Sequence, residues 1–333
     1  MKLAFLILGN LGYEVGYVFG LLNFGLLFSL FPKIKVIKGD LKMLFVLLTL
    51  CLVVNSSTEY MFNMGSLSSI ELGYSHIKMY AYWYIIGMSL RGQNIMFRPM
   101  FRTIFIVVIV ISSVILNLSI SIVDGKAYNY LMFVDELVFL LFLTNSDKRS
   151  AFLSWLTTAL SGSRSAMLAY SMSVRTIRRY VFVLALPFAL LAPLVGAFNG
   201  TFLSRITFTS GLADYSLVHR LLLFSEGIAS LRDNFFVNDV FWHLLAYDTT
   251  TLYIHNFLSF FQVWGGLAGL LLLAYIISSM LKIYRNHYLR RVVLFILLML
   301  LFFRSYNWHI VFGFIAYYTY KIENRNFQYS ELE

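Results

Sequence analysis

Apolar residues gather along this chain into long runs separated by short polar stretches. The runs fall at 3–31, 41–56, 77–97, 103–122, 129–145, 150–173, 180–198, 252–280, 292–304 and 307–320. Hydrocarbon offers no hydrogen-bond partner to backbone groups, so a segment that crosses a bilayer reads as about 20 mostly apolar residues in a helix. The pattern therefore predicts an all-α polytopic membrane protein, with 1–333 as a single integral membrane domain. Residues 199–251 are the one sizeable region without such a run.

The polar stretches set the expected topology. Lys33, Lys35, Lys38 and Lys42 form the first basic segment, followed by Arg91, Arg98 and Arg102, then Lys148 and Arg149. Arg175, Arg178 and Arg179 come next, then Lys282, Arg285, Arg290 and Arg291, and finally Lys321 and Arg325; these are 18 of the 26 basic residues. Excess Lys and Arg mark cytoplasmic loops, so all six segments are expected inside. One conflict follows, because only the 24 residues of 150–173 separate two basic flanks. A stretch with both ends inside must enter the membrane and return. The expectation is a short helical hairpin with its tip at Ser161-Gly162-Ser163-Arg164, where Ser and Gly favour a turn. A single spanning helix with a snorkelling Arg164, which would put one basic flank outside, is the competing account. Counting onward, 180–198 crosses outward, 199–251 is a periplasmic segment, and 252–280 returns. The total is about 11–12 transmembrane helices, with the first run read as one long tilted helix or two short ones. That first run lacks a small-residue cleavage site and is expected to stay on.

Composition sharpens the class. The chain is 59% hydrophobic and 18% aromatic but only 13% charged, against about 25% charge in an ordinary soluble chain. A soluble enzyme, a disordered protein and a nucleic-acid binder are excluded on this balance. The net charge of +10 is accounted for mostly by topology. The single Cys51 permits no disulfide framework and no Cys-based metal site. No metal or cofactor is expected.

Charged groups at membrane depth are costly and tend to be functional. Glu14, Asp135, Glu136, Arg164 and Arg304 are such groups. Arg164 and Ser163 sit at the expected hairpin tip, His219 and Arg220 in the periplasmic segment, and His255 with Asn256 where that segment re-enters the membrane. Three cationic or protonatable groups, distant in sequence, are thereby expected at one depth. Arg binds phosphate through a fixed fork of donors and stays charged. Two of them around a pyrophosphate suit a diphosphate lipid donor, and His can take a proton from an attacking hydroxyl. Ordinary pairing, such as Arg220 with Glu226 or Asp214, is the competing account of these charges.

His255-Asn256, nine residues, Gly266, two residues and Gly269 resemble the His-Asn-x9-Gly-x-x-Gly pattern of the bacterial O-antigen polymerase and O-antigen ligase superfamily. The Ser161–Arg164 element and the Arg at the start of Arg220-Leu-Leu-Leu-Phe-Ser-Glu-Gly match in the same order, so the resemblance covers about 150 to 280. Members often carry a Pro-x-x-Gly-x-Gly turn before the His, where this chain has Asp233-Asn234-Phe235-Phe236-Val237-Asn238-Asp239. The resemblance implies a GT-C-like, metal-independent glycosyltransferase of the inner membrane, working at the periplasmic face. Donor and acceptor would be glycans on undecaprenyl pyrophosphate, in contact with membrane lipid, with a chain-length regulator protein as a further partner. It implies that Arg164 and Arg220 hold the pyrophosphate and that His255 is the base. Asn256, Arg304, Ser163 and His219 are the expected substrate contacts. Gly266 and Gly269 are expected to serve close helix packing. Three functions stay open. They are a polymerase extending a lipid-linked chain, a ligase transferring it to lipid A–core, and a flippase, for which repeated halves with interrupted helices would be the sign.

Overall fold

The computed structural model of the chain describes residues 34–62, 68–91, 99–118, 138–143, 148–160, 164–174, 177, 224–225, 228–229, 232, 257–264, 266–287, 289–303 and 308–323. All regular structure among them is helical. The helices are α1 (Lys38–Phe62), α2 (Ser68–Leu90), α3 (Pro99–Leu118), α4 (Lys148–Leu160), α5 (Arg164–Ser173), α6 (Leu258–Trp264), α7 (Gly266–Tyr284), α8 (Arg290–Leu298), which runs on into a π turn at Met299–Phe303, and α9 (Ile310–Glu323). Among the described residues no helix is long and apolar enough to cross a membrane. The expected runs 3–31 and 180–198, and nearly all of 199–251, lie outside the described residues.

The chain divides into two compact units, one of Met1–Ile95, Leu271–Lys282 and Asn307–Gln328, the other of Met96–Leu270, Ile283–Tyr306 and Tyr329–Glu333. In the first, α2 packs against α9 and α1 against α2. Helix α9 is buried on all sides from Ile310 through Tyr317, the pattern of a central helix. Its approach to α2 is set by glycine. A Cβ on Gly87 would overlap the Gly313 carbonyl and lie 2.8 Å from Ala316 Cβ, and a Cβ on Gly313 would stand 3.0 Å from the Trp83 carbonyl oxygen. Small residues at such a crossing let backbones touch, the usual device where helices gain nothing from leaving lipid.

In the second unit α3 packs on α4, α4 on α5, and α5 on α8 and the π turn. Phe295 of α8 stacks on Phe142 at 4.8 Å and meets Tyr170 of α5 edge-on at 6.4 Å. The hairpin expected over 150–173 is present as two short helices lying side by side. Tyr170 Oη donates to the Ala151 carbonyl at 3.0 Å and Trp155 Nε1 to Ser171 Oγ at 2.8 Å, which pairs the start of α4 with the end of α5. At 13 and 10 residues these helices rise about 20 and 15 Å, each short of the roughly 30 Å hydrocarbon thickness.

Two expectations need correction. In the run 77–97 the helix ends at Leu90 and Arg91 is in the turn that follows, while 92–97 lie outside the described residues. The run 252–280 is not one helix. Its described part is two helices, α6 ending at Trp264 and α7 beginning at Gly266, and a glycine is about 1 kcal/mol worse than Ala inside a helix. A Cβ on Gly269 would overlap the Phe260 carbonyl oxygen. In one straight helix those residues would be about 13 Å apart, so the chain folds back there.

Outward faces are apolar as well. On α1, Leu41, Leu44, Phe45, Leu48 and Leu52 follow helical spacing and are 58–64% exposed. On α3, Ile104, Val107, Val110 and Ile111 are exposed while Phe105 and Ile109 are buried. A helix on a water-soluble domain carries polar residues on that side.

Candidate functional site

Each expected site residue can now be placed. Arg164 is the first residue of α5, and α4 ends at Leu160. Ser163, His219, Arg220, His255, Asn256 and Arg304 lie outside the described residues, as do Glu14, Asp135 and Glu136. Helix α6 begins three residues after His255, and the π turn Met299–Phe303 ends one residue before Arg304. The Gly269 contact with Phe260 is the close packing expected of that glycine, and it holds the start of α6 against α7. Among the described residues no group of three or more His, Cys, Asp or Glu is arranged to hold a metal.

Two buried polar clusters appear that sequence reasoning missed. In the first, Asp40 and Arg91 form a two-pronged ion pair, with Nη1 to Oδ2 and Nη2 to Oδ1 both at 2.7 Å. Both side chains are almost fully buried. Most of the remaining capacity is used. Arg91 Nε donates to the Ala316 carbonyl at 2.9 Å, Nη1 also reaches the Lys35 carbonyl, and the guanidinium lies 5.3 Å over the Tyr320 ring. Asp40 accepts from Tyr84 Oη and from the Ile37 backbone N–H, both at 2.7 Å. The Ile37 bond is the reach-back half of a capping box at the start of α1. Tyr275 Oη, in turn, donates to Tyr84 Oη at 3.3 Å.

Burial alone would push the Asp40 carboxyl up, but the bonds from Arg91, Ile37 and Tyr84, with the Arg91 charge, hold it below its ordinary 3.8. A carboxylate and a guanidinium so engaged have little left to offer a substrate. This cluster is a structural lock joining α1, α2, α9 and Tyr275. The sequence alone gives Arg91 only a topological role. The signal that singled it out was weak, since Asp40 is the lone acid in the basic segment Lys33–Lys42.

In the second cluster, His76 Nδ1 and His309 Nε2 stand 2.8 Å apart across the α2–α9 contact. The rings are within 20° of coplanar with centroids 5.1 Å apart, so they meet edge to edge with one donating and the other accepting. Tyr80 is tilted against His309 at 5.4 Å and stacked on Phe312 at 4.4 Å. Both histidines sit in or beside apolar runs, where a lone His gives no sequence signal of its partner.

No protein-family model matches the chain, and no curated protein or solved structure does either.

Proposed function

We propose that this chain is a multi-pass glycosyltransferase of the bacterial inner membrane. It is read as an O-antigen polymerase that moves a growing glycan from undecaprenyl pyrophosphate onto the non-reducing end of another lipid-linked repeat unit. The observation that carries the proposal is the α4–α5 hairpin. Two basic flanks favour a segment that enters and returns, and the chain supplies two short antiparallel helices, the second beginning at Arg164. The apolar outward faces of α1 and α3 support the membrane setting, since exposed apolar surface of that extent marks a lipid or protein contact. The Gly269 contact supports the His-Asn-x9-Gly-x-x-Gly reading, because it gives the second glycine of that pattern a steric reason.

In this mechanism the acceptor hydroxyl gives its proton to His255 as its oxygen attacks the anomeric carbon of the donor sugar. The bond from that carbon to the pyrophosphate oxygen breaks. Arg164 and Arg220 take up the charge that develops on the leaving undecaprenyl pyrophosphate. Asn256 orients His255, and Ser163, His219 and Arg304 contact the sugars or phosphate. The chemistry needs no metal ion.

The test is complementation of a strain lacking the gene with Arg164→Ala and His255→Ala variants. Both variants should reach the membrane in normal amount yet yield lipopolysaccharide bearing a single repeat unit. Normal long chains in both would sink the site assignment.

A further inference from the structure

We infer that the groove between α1 and the Leu271–Lys282 part of α7 binds an anionic phospholipid of the cytoplasmic leaflet. The inference rests on the membrane reading of the chain. The groove has a volume of about 550 Å³, with apolar walls from Leu41, Phe45 and Val46 on one side and Leu271 and Ala274 on the other, and Lys42 beside them. Its size is within the roughly 300–1,000 Å³ of sites that hold a small ligand. Leu41 and Phe45 are also part of the outward apolar stripe of α1, so the groove opens onto the surface that faces lipid. An acyl chain can enter it sideways from the bilayer.

Charge identifies the headgroup. Lys35, Lys38 and Lys42 are all exposed, and Lys38 and Lys42 are one helical turn apart on the same face of α1. The nearest acid in sequence, Asp40, is consumed by Arg91. The next along α1, Glu59, is about 28 Å further up the helix. Glu323, at the end of α9, is engaged by Lys282 at 3.4 Å. Among the described residues Lys38 and Lys42 therefore present positive charge with no carboxylate against it, beside an apolar groove. This is the arrangement by which basic pockets between membrane helices hold anionic headgroups on the cytoplasmic side. The lock keeps the groove in shape, because Tyr275 is hydrogen-bonded through Tyr84 to Asp40.

The test uses the full chain purified in detergent and mixed with equal amounts of phosphatidylglycerol and phosphatidylethanolamine of identical acyl chains. Native mass spectrometry then reads which lipid stays bound. Phosphatidylglycerol should predominate, with each of Lys38 and Lys42 contributing roughly fivefold. Lys38→Gln/Lys42→Gln should abolish the preference while an acyl-bound population remains. Ala274→Trp should fill the groove and remove retention of both lipids. Both sites are exposed, so fold is checked by an unchanged circular dichroism spectrum. Equal retention of the two lipids by the unaltered chain would overturn the proposal. So would a preference that survives the double Lys variant, or retention that survives Ala274→Trp, as expected if another helix covers this face. Failure of the membrane reading would show separately, as recovery of the chain in the aqueous fraction without detergent.

Discussion

Arg91 and Asp40 carry opposite charges 51 positions apart and meet in a dry site between three helices. Removing one partner leaves the other buried and uncompensated, which costs roughly 3–5 kcal/mol. Arg91→Ala and Asp40→Ala should each lose about that much in denaturant unfolding of the detergent-solubilised chain. Asp40 lies just ahead of the apolar run 41–56 and its folded pKa is below the ordinary 3.8. Between those two values the unfolded chain binds more protons than the folded one, so stability rises with pH there. The contribution is intact above the ordinary value and lost as pH falls through the folded one. The stability gap between the unaltered chain and Asp40→Asn should therefore be constant near neutrality and close in strong acid. A gap that stays open in acid would contradict the lock. Neither partner was legible as a pair, since a contact between residues 40 and 91 depends on how helices pack. Arg91 looks like any cytoplasmic arginine until its donors are counted.

At the scale of elements, breaks in helices are more informative than their lengths. The α4–α5 hairpin was legible because two basic flanks lie only 24 residues apart, which favours entry and return over a single crossing. The α6–α7 break was not, because hydropathy runs through it without a dip. The glycine pair at 265–266 was its only trace in the sequence. Two measurements follow. With Cys51 replaced by Ser, a cysteine introduced at Ser163 should be labelled by a membrane-impermeant reagent from the periplasm. Labelling solely from the cytoplasm would refute the routing. At Gly269 a side chain would strike the Phe260 backbone, which cannot move aside as a flexible side chain can. Gly269→Val should then destabilise by about 1–3 kcal/mol and reduce activity, because α6 leads directly from His255. A Gly269→Val protein of unaltered melting temperature would remove the steric explanation for this glycine. The π turn after α8 had no counterpart in the periodicity, which does not separate a π turn from continued α-helix.

For the whole molecule, all-helical architecture was legible from composition and run length, because few other folds satisfy a backbone made of such residues. The surplus of positive charge resolves into parts. Most of it marks one side of the expected topology, Arg91 is spent on the lock, and Lys42 borders the groove beside α1 with Lys38 one turn away. The proposed chemistry is left to Arg164, Arg220 and His255. The proposed site rests on the order and spacing of motifs, to which the described helices add the hairpin and the folded-back glycine contact. The central claim is that this chain polymerises repeat units on a lipid carrier, and a gel of lipopolysaccharide from a strain lacking its gene tests that most directly. The account predicts lipid A–core carrying one repeat unit and no longer species. Bare core with polymer accumulating on the lipid carrier would contradict it and identify a ligase, and unchanged long chains would contradict both.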